Sequence, residues 1–238
     1  KSAFDVIEWG YIFKTLDYFG IRGNFKRWME IIYNPEKVCS SLSVNAYLSR
    51  FFMVSRGLRQ GCPLSPLLYI LVAETFANKI RADNNIVGIR LATETVKINH
   101  YADDMNFFLR SSDSIQKVFD HFKIYNKACG AILNTSKSQI LKIGELENFP
   151  KIFENFSTQR IKIYGLYFDQ TGFNSKKSYE QGEKAILQLQ NMNPHSNFSL
   201  VSRSIFVNTY FLSKFWYAAA FIQPSDELIQ LANKAIRK

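Results

Sequence analysis

The first 143 residues alternate between two kinds of apolar pattern, and this order constrains the fold more than any other feature of the sequence. Apolar residues recur every three or four positions over 6–19, 24–33 and 115–125, whereas they alternate with polar residues over 38–54 and 87–109. The first pattern is typical of helices that bury one face, and the second of half-buried strands. Helices interleaved with hairpins predict an α+β fold, in which helices pack on one face of an antiparallel sheet.

Short local signals predict where the helices begin. Asp5 with Glu8 three residues later is an acidic version of the capping box, and it predicts the start of the first helix. Ser65 and Pro66 are expected to be the N-cap and first residue of an apolar helix over 67–81. Both expectations rest on neighbouring residues alone.

The last part of the chain is expected to be helical. Short strands near 139–143 and 161–168 precede three helix candidates, which are 176–190, 199–221 and 224–237. This change of pattern predicts a domain boundary near residue 170, between an α+β domain at 1–170 and a helical domain at 171–238.

Composition excludes several classes of protein. Hydrophobic residues make up 47% of the chain and aromatic residues 15%, well outside the composition of disordered chains. The longest apolar runs, 66–73 and 215–222, are shorter than the ~18 residues of a membrane-spanning helix. Cys39, Cys62 and Cys129 are widely spaced, so the sequence predicts neither a disulfide scaffold nor a zinc site.

The net charge favours a polyanionic partner. Thirty basic residues against 20 acidic ones give a formal charge of +10, as is common in proteins that bind nucleic acid. A basic surface that only faces solvent is the alternative, and charge alone does not choose between them.

Two adjacent carboxylates, Asp103 and Asp104, are the sharpest chemical feature. The neighbouring Tyr101, Met105 and Phe107 predict an apolar hairpin with the carboxylates at its tip. Like charges there are expected to be partly desolvated and to repel one another unless a cation lies beside them. Mg²⁺ prefers such hard oxygen ligands and needs few of them alongside substrate phosphates. The alternative is a β-turn with both side chains in water, because Asp is favoured in turns.

A second feature is the loop over residues 56–66, which contains two Gly, two Pro, two Arg and one Gln. Guanidinium groups can bind phosphates, and glycines allow close approach of the backbone to a ligand. The alternative is an ordinary surface loop that leads into the next helix.

These features belong to a longer set of motifs. An uninterrupted run, Arg-Gly-Leu-Arg-Gln-Gly-Cys-Pro-Leu-Ser-Pro-Leu-Leu, occupies residues 56–68, and Tyr-Ala-Asp-Asp occupies residues 101–104. Other matching segments are Ala-Phe-Asp at 3–5, Trp9, Gly130 with Asn134, Lys137 and Ser138, Tyr-Gly-Leu at 164–166, and residues 200–217. In this order and separation they resemble the palm and thumb of reverse transcriptases from non-LTR (LINE-type) retrotransposons.

The resemblance implies an RNA-directed DNA polymerase. Such an enzyme joins deoxynucleoside triphosphates to the 3′-hydroxyl of a DNA primer on an RNA template, and it has no membrane partner. Asp103 resembles a shared ligand of two Mg²⁺ ions, with Mn²⁺ as a possible substitute, and Asp104 a secondary ligand. Lys137 resembles a lysine that protonates the departing pyrophosphate, although a solvated lysine is the alternative. The family also implies a nuclear and cytoplasmic location.

The resemblance also implies a nucleotide-binding surface. The residues that match its positions are Phe4, Arg59, Gln60, Gly61, Tyr101 and Ala102. Phe4 resembles the bulky residue that packs beneath the sugar and excludes a ribose 2′-hydroxyl, with a plain core phenylalanine as the alternative.

One departure from the family pattern changes the expected activity. The first metal-binding Asp of the family corresponds to a position two residues upstream of Lys1, and the fingers segment of the family precedes it. We therefore expect a palm-and-thumb fragment that is truncated at both ends and inactive in this extent. The alternatives are a non-catalytic nucleic-acid-binding remnant of a decayed element and an intron-maturase-type reverse transcriptase. The oligomeric state is not indicated by the sequence.

Overall fold

The structure is a computed structural model that describes residues 3–144, 149–191 and 199–236. The chain divides into two compact units, Lys1–Ser138 and Gln139–Lys238. Within the described ranges, no helix is both long enough and apolar enough to cross a membrane.

Helices and short strands alternate through the first unit, as the apolar patterns predict. A 3₁₀ turn at Ala3–Val6 precedes the described helices of this unit, which are α1 (Trp9–Tyr18), α2 (Asn24–Ile32), α3 (Leu64–Ala82) and α4 (Ser112–Cys129). Its described strands are β1 (Cys39–Ser40), β2 (Ser43–Val44), β3 (Tyr47–Leu48), β4 (Phe52–Met53), β5 (Ile89–Leu91), β6 (Glu94–Val96), β7 (Ile98–Tyr101) and β8 (Asp104–Phe107). The mixed composition of helices and antiparallel strands is confirmed.

The strands pair as small antiparallel ladders rather than as the one sheet that the pattern predicts. β1 pairs with β4, β2 with β3, β5 with β6, and β7 with β8. Two backbone bonds extend the ladders: the Phe108 N–H donates to the Lys97 carbonyl and the Arg110 N–H to the Val87 carbonyl, each at 2.9 Å. Residues 87–110 therefore run back and forth beside one another.

Helix α3 lies at the centre of the core of the first unit. It contacts α1, α4 and β7, and its buried face includes Val72, Phe76 and Ile80. Leu16 of α1 and Val118 of α4 belong to the same buried cluster. Burying a side chain of this size stabilises the fold by ~1.5–3 kcal/mol, so α3 is a rigid base for the elements around it.

The end of α4 closes onto the beginning of the chain. Gly130 terminates the helix in the left-handed conformation, with φ 81°, as its position in the sequence predicts. A Cβ at this residue would clash with the Val6 carbonyl oxygen. The Glu8 N–H donates to the Cys129 carbonyl at 2.9 Å. Gly130 is thus required for a close approach as well as for the turn.

The predicted capping box at Asp5 and Glu8 is wrong. Helix α1 begins at Trp9, and no side chain caps its N-terminus. Glu8 instead forms a β-bridge with Arg56, whose guanidinium lies 3.7 Å from the Glu8 carboxylate. The Asp5 carboxylate accepts a hydrogen bond from Gln60 Nε2 at 3.3 Å. Long-range partners therefore hold both acidic groups.

The predicted start of α3 is also wrong. The helix begins at Leu64, after Pro63, so that Ser65 lies inside its first turn rather than at the N-cap. Ser65 is buried, and its Oγ donates to the Arg59 carbonyl at 2.7 Å. The hydroxyl holds the preceding loop instead of the helix terminus.

The second unit combines small sheets with helices. Its strands among the described residues are β9 (Ile140–Leu141), β10 (Ser157–Thr158), β11 (Arg160–Ile163), β12 (Leu166–Asp169) and β13 (Gly172–Phe173). β9 and β10 are parallel, and β11, β12 and β13 are antiparallel. The single strand predicted at 161–168 is a hairpin, because Tyr164 and Gly165 turn the chain with positive φ.

The helical end of the chain is confirmed. The helices of this part are α5 (Ser175–Asn191), α6 (Leu200–Val207), α7 (Ser213–Ala219) and α8 (Asp226–Ile236), and a π-helical turn, Asn208–Leu212, joins α6 to α7. Residue 237, the predicted end of the last helix, lies outside the described residues. Strand β12 contacts α5, so the compact unit begins before residue 170. The division into domains at 1–170 and 171–238 stays a prediction.

Candidate active site

The two adjacent carboxylates lie at the tip of the β7–β8 hairpin. Tyr101 pairs with Asp104 across the ladder, so Ala102 and Asp103 form a two-residue turn. Ala102 has φ 52°, which costs a residue with a Cβ of order 1–3 kcal/mol unless its surroundings impose it. The backbone is therefore strained beside Asp103.

Both carboxylates are exposed, so the expected partial desolvation is wrong. The hairpin buries its apolar residues further down the strands, while the turn extends into solvent. Among the described residues, no hydrogen bond or ion pair engages the carboxylate of Asp103 or Asp104. Nor do three His, Cys, Asp or Glu side chains lie together there as a metal-binding group. Two free, hard oxygen donors on neighbouring residues suit Mg²⁺, which takes its other ligands from phosphates and water.

A buried tyrosine, Tyr69, stacks on Phe4 and is influenced by the charge of Asp103. The ring of Phe4 stacks on that of Tyr69, with centroids 4.8 Å apart and planes 15° from parallel. Burial raises the pKa of Tyr69 to about 12, and the negative charge of Asp103 acts in the same direction. Phe4 is half-buried, and Tyr69 lies on α3. Helix α3 therefore supports both the aromatic pair and the region around the turn.

The loop after Arg56 is bonded along the segment that contains Phe4. The Leu58 N–H donates to the Phe4 carbonyl at 2.7 Å, and the Gly57 N–H to the Ile7 carbonyl at 2.8 Å. Trp9 Nε1–H donates to the Gly57 carbonyl at 2.7 Å. A Cβ at Gly57 would lie 3.0 Å from the Asp5 carbonyl oxygen, and the φ of 90° is one that residues with a side chain rarely adopt, so glycine is favoured at this close approach. Two motifs that are fifty residues apart thus become one surface.

The three predicted nucleotide-binding residues of this loop are exposed. Arg59 donates weakly to the Ile32 carbonyl, at 3.4 Å, and Gln60 donates to Asp5. Gly61 has φ 80° and open space around its α-carbon. This face of the loop is accessible to a ligand.

Lys137 is not connected to these segments. It lies on an exposed turn after α4, where its backbone N–H donates to the Asn134 carbonyl at 3.2 Å. In the part of the chain that the structure describes, no hydrogen bond or ion pair joins Lys137 to the hairpin. Hydrogen bonds therefore link the Phe4 segment to residues 56–61, and the charge of Asp103 acts on Tyr69 beneath Phe4, whereas no such link to Lys137 is found among the described residues.

Sequence reasoning missed three residues that hold the hairpin and its surroundings. They are Tyr69, Glu74 and His100. His100 Nε2 lies 2.9 Å from Glu74 Oε2, across 26 residues of sequence. A signal was present, because Glu74 is the one acidic residue of α3 and interrupts an apolar run. A charge in such a run needs a partner.

Comparisons with known proteins identify the family of the chain. The family model of the reverse transcriptase (RNA-dependent DNA polymerase) matches residues 1–168. The chain is 25% identical over 237 residues to an uncharacterized 149 kDa protein of transposon TX1 from Xenopus laevis. It is 27% identical over 137 residues to the retrovirus-related Pol polyprotein from a type-2 retrotransposable element of Drosophila melanogaster.

The chain spans only part of these relatives. The two alignments cover 96% and 58% of this chain, but 18% and 12% of the transposon and retrotransposable-element proteins. A third alignment, 46% identical over 55 residues, covers 21% of this chain and 45% of an uncharacterized mitochondrial protein of Arabidopsis thaliana. The family match and the two mobile-element relatives confirm the resemblance inferred from the motifs. The chain belongs to the reverse transcriptase family, of the non-LTR retrotransposon type.

Proposed function

We propose that this chain is the palm and thumb region of an enzyme that copies RNA into DNA. Residues 1–170 form the palm and residues 171–238 the helical thumb. The observation that carries the proposal is the hydrogen bonding of the 56–61 loop to the Phe4 segment, with Phe4 stacked on Tyr69. The negative charge of Asp103 acts on the same tyrosine and raises its pKa. A polymerase needs these parts beside one reacting bond.

Asp103 and Asp104 are the proposed metal ligands. Two Mg²⁺ ions, or Mn²⁺ in their place, would activate the primer 3′-hydroxyl and neutralise the phosphates of the nucleotide when bound. The exposure of both carboxylates supports this role, since their oxygens are accessible to a cation and to a triphosphate. Asp103, in the strained turn, is proposed to contribute more than Asp104, which begins strand β8.

The remaining site residues are proposed to bind and orient the nucleotide. Phe4 lies beneath the sugar, with its ring held flat by Tyr69, and leaves no room for a 2′-hydroxyl. Gln60 and Gly61 line the base and sugar, while Arg59 binds phosphate as a charge-assisted donor. Tyr101 and Ala102 form the near edge of this surface. Lys137 donates a proton to the leaving pyrophosphate.

The proposed partners follow from this reaction. They are an RNA template, a DNA primer and deoxynucleoside triphosphates, and the charge of +10 supports binding of the two nucleic acids. The proposed location is nuclear and cytoplasmic, as the family implies.

Primer extension on an RNA template tests the proposal. The assay uses the longest version of the protein that contains these 238 residues. Asp103→Asn should lower the rate of extension at least about 100-fold, because each ~1.4 kcal/mol of lost transition-state stabilisation costs a factor of ten. Asp120→Asn is the matched control: Asp120 is also an exposed carboxylate, paired with Lys123 on α4. Equal rates for the two variants would overturn the assignment of Asp103.

The 238-residue chain alone is proposed to be inactive in this assay. The described residues contain two adjacent carboxylates at the hairpin tip, and no third ligand joins them. Binding of a primed RNA should persist and fall steeply as salt rises, since contacts to phosphate dominate it. Robust extension by this chain would contradict the proposal. If longer versions of the protein bind primed RNA in a salt-sensitive way but none of them extends the primer, the result would favour a non-catalytic nucleic-acid-binding remnant.

A further inference from the structure

A partly buried hydrogen-bond network joins the β7–β8 hairpin to α3. His100 Nε2 lies 2.9 Å from Glu74 Oε2, and the other carboxylate oxygen of Glu74 accepts from the Arg81 guanidinium. Arg81 also donates to Asn78 Oδ1 at 2.8 Å. Glu74, Asn78 and Arg81 are successive residues of one face of α3, so the helix presents a preformed acceptor to His100.

His100 is one residue pair away from the turn that carries Asp103. It pairs with Met105, and the next pair is Tyr101 with Asp104. Only 10% of the His100 side chain is exposed. Because side chains alternate along a strand, His100 shares its face with Ile98, which is buried against the core. The imidazole is thus the last contact with α3 along this face before the turn.

The chemistry of the pair fixes the direction of the hydrogen bond. A carboxylate only accepts, so the proton lies on His100 Nε2 and is donated to Glu74. Nδ1 is buried, and no group among the described residues lies within hydrogen-bond reach of it. A side chain with one donor at the position of Nε2 can therefore replace the imidazole. Glutamine meets that requirement, and alanine does not.

We propose that His100 is a positioning residue, whose hydrogen bond to Glu74 sets the place of the turn and hence of Asp103 relative to Tyr69 and Phe4. The inference rests on the proposed function, in which Asp103 binds the catalytic cations. A two-stranded hairpin is marginally stable alone, so its tip moves unless a third element holds it. Helix α3 meets this need through Glu74.

Steady-state primer extension provides the first test, again in the longest active extent of the protein. His100→Ala should lower kcat about 10- to 100-fold, because displacing a reacting group by about 1 Å can cost a factor of about 100. The KM for the nucleotide should change less than threefold. His100→Gln should recover most of the loss. Glu180→Gln is the control, since Glu180 also accepts from two side chains, Lys177 and Lys184, but outside this network.

Amide hydrogen exchange of the 238-residue chain provides a second test that does not require activity. In His100→Ala the amides of residues 101–104 should exchange at least about tenfold faster, while those of α4 keep their protection. His100→Gln should restore the slower exchange. A general loss of stability would instead accelerate both regions.

The outcomes separate this inference from the function on which it rests. Full activity in Asp103→Asn overturns the proposed function. Loss of activity in Asp103→Asn, together with normal kcat and normal exchange in His100→Ala, overturns only the positioning role. A fall in kcat that His100→Gln does not recover also counts against it, because the donor would then be irrelevant.

Discussion

Two β-hairpins of the first unit have turns of equal length but differ in what lies behind them. In β2–β3 the turn residues Asn45 and Ala46 both have positive φ, and every residue of both strands is exposed. In β7–β8 the turn residue Ala102 also has positive φ, but Ile98 is buried and His100 contacts α3. The first hairpin depends on its turn, and the second also depends on the core.

The comparison of these hairpins shows that forming a hairpin and fixing the position of its tip have different requirements. Residues that tolerate positive φ are sufficient for a two-residue turn. They do not hold the tip at a fixed place, because a two-stranded ladder alone is marginal. The proposed metal ligands lie on the hairpin that the core fixes. Three pairs of variants, taken from the largest expected effect to the smallest, test this distinction.

Truncating the buried face of each hairpin should give the largest contrast. Ile98→Ala should lower the free energy of unfolding by about 2–4 kcal/mol, because Ile98 is only 6% exposed and its removal leaves a cavity. Val44→Ala, at a position that is 64% exposed, should change it by less than about 0.5 kcal/mol. Urea unfolding measures both values. Similar losses would mean that the core does not support β7.

Relieving the strained turns should give an intermediate effect on stability. Ala46→Gly and Ala102→Gly should each raise the free energy of unfolding by about 0.5–1 kcal/mol, because glycine adopts positive φ without a Cβ penalty. Only Ala102→Gly should also slow primer extension, since it loosens the turn beside Asp103. The same urea experiment and the extension assay check the pair. A loss of stability at either site would show that the turn is not strained.

The smallest effect should be a dependence on pH at the β7–β8 hairpin. Burial acts to raise the pKa of Glu74, but hydrogen bonds from Arg81 and His100 outweigh it and hold this pKa below its ordinary value. A lowered carboxylate pKa stabilises the fold above the unfolded value of about 4.3, and the gain is lost as pH falls through the folded value.

Glu74→Gln should therefore flatten the fall in unfolding free energy below about pH 4, by at most about 1 kcal/mol. Tyr47→Phe in β3 should leave the profile unchanged in that range. Urea unfolding midpoints of wild type and both variants, measured between about pH 3 and pH 7, give the pH profiles to be compared. Identical profiles for wild type and Glu74→Gln would remove Glu74 from the forces that hold the hairpin.

Signals that depend on backbone conformation were predictable from the sequence. Helices α2 and α4 lie where the patterns over 24–33 and 115–125 predict them, and the alternation over 38–54 contains a hairpin, as expected. The long-range partners of polar side chains were not predictable from the sequence. The carboxylates of Asp5 and Glu8 could cap a helix, but both residues instead interact with a loop about fifty residues away in the sequence. Local sequence patterns do not indicate which of these two partners a carboxylate binds.

The site was predictable to the extent that its motifs are contiguous. Residues 56–61 and 101–104 were identified from their own contiguous sequences. The structure bonds residues 56–61 to the Phe4 segment, and the charge of Asp103 acts on Tyr69 beneath Phe4. The residues beneath them were missed. Tyr69 looks like one more apolar residue of α3, and the pairing of Glu74 with His100 depends on how α3 and β7 pack. Support of this kind is a property of the tertiary structure.

The bond between Glu8 and Cys129 has a consequence for biosynthesis. The acceptor of the Glu8 N–H, the Cys129 carbonyl, is synthesised about 120 residues later. At 5–20 residues per second, translation of this stretch takes on the order of ten seconds. During that interval the segment around Phe4 exists without the glycine-terminated helix that closes over it. A nascent chain stalled before Gly130 therefore exposes an unfinished apolar core, and chaperones would have to protect it during translation.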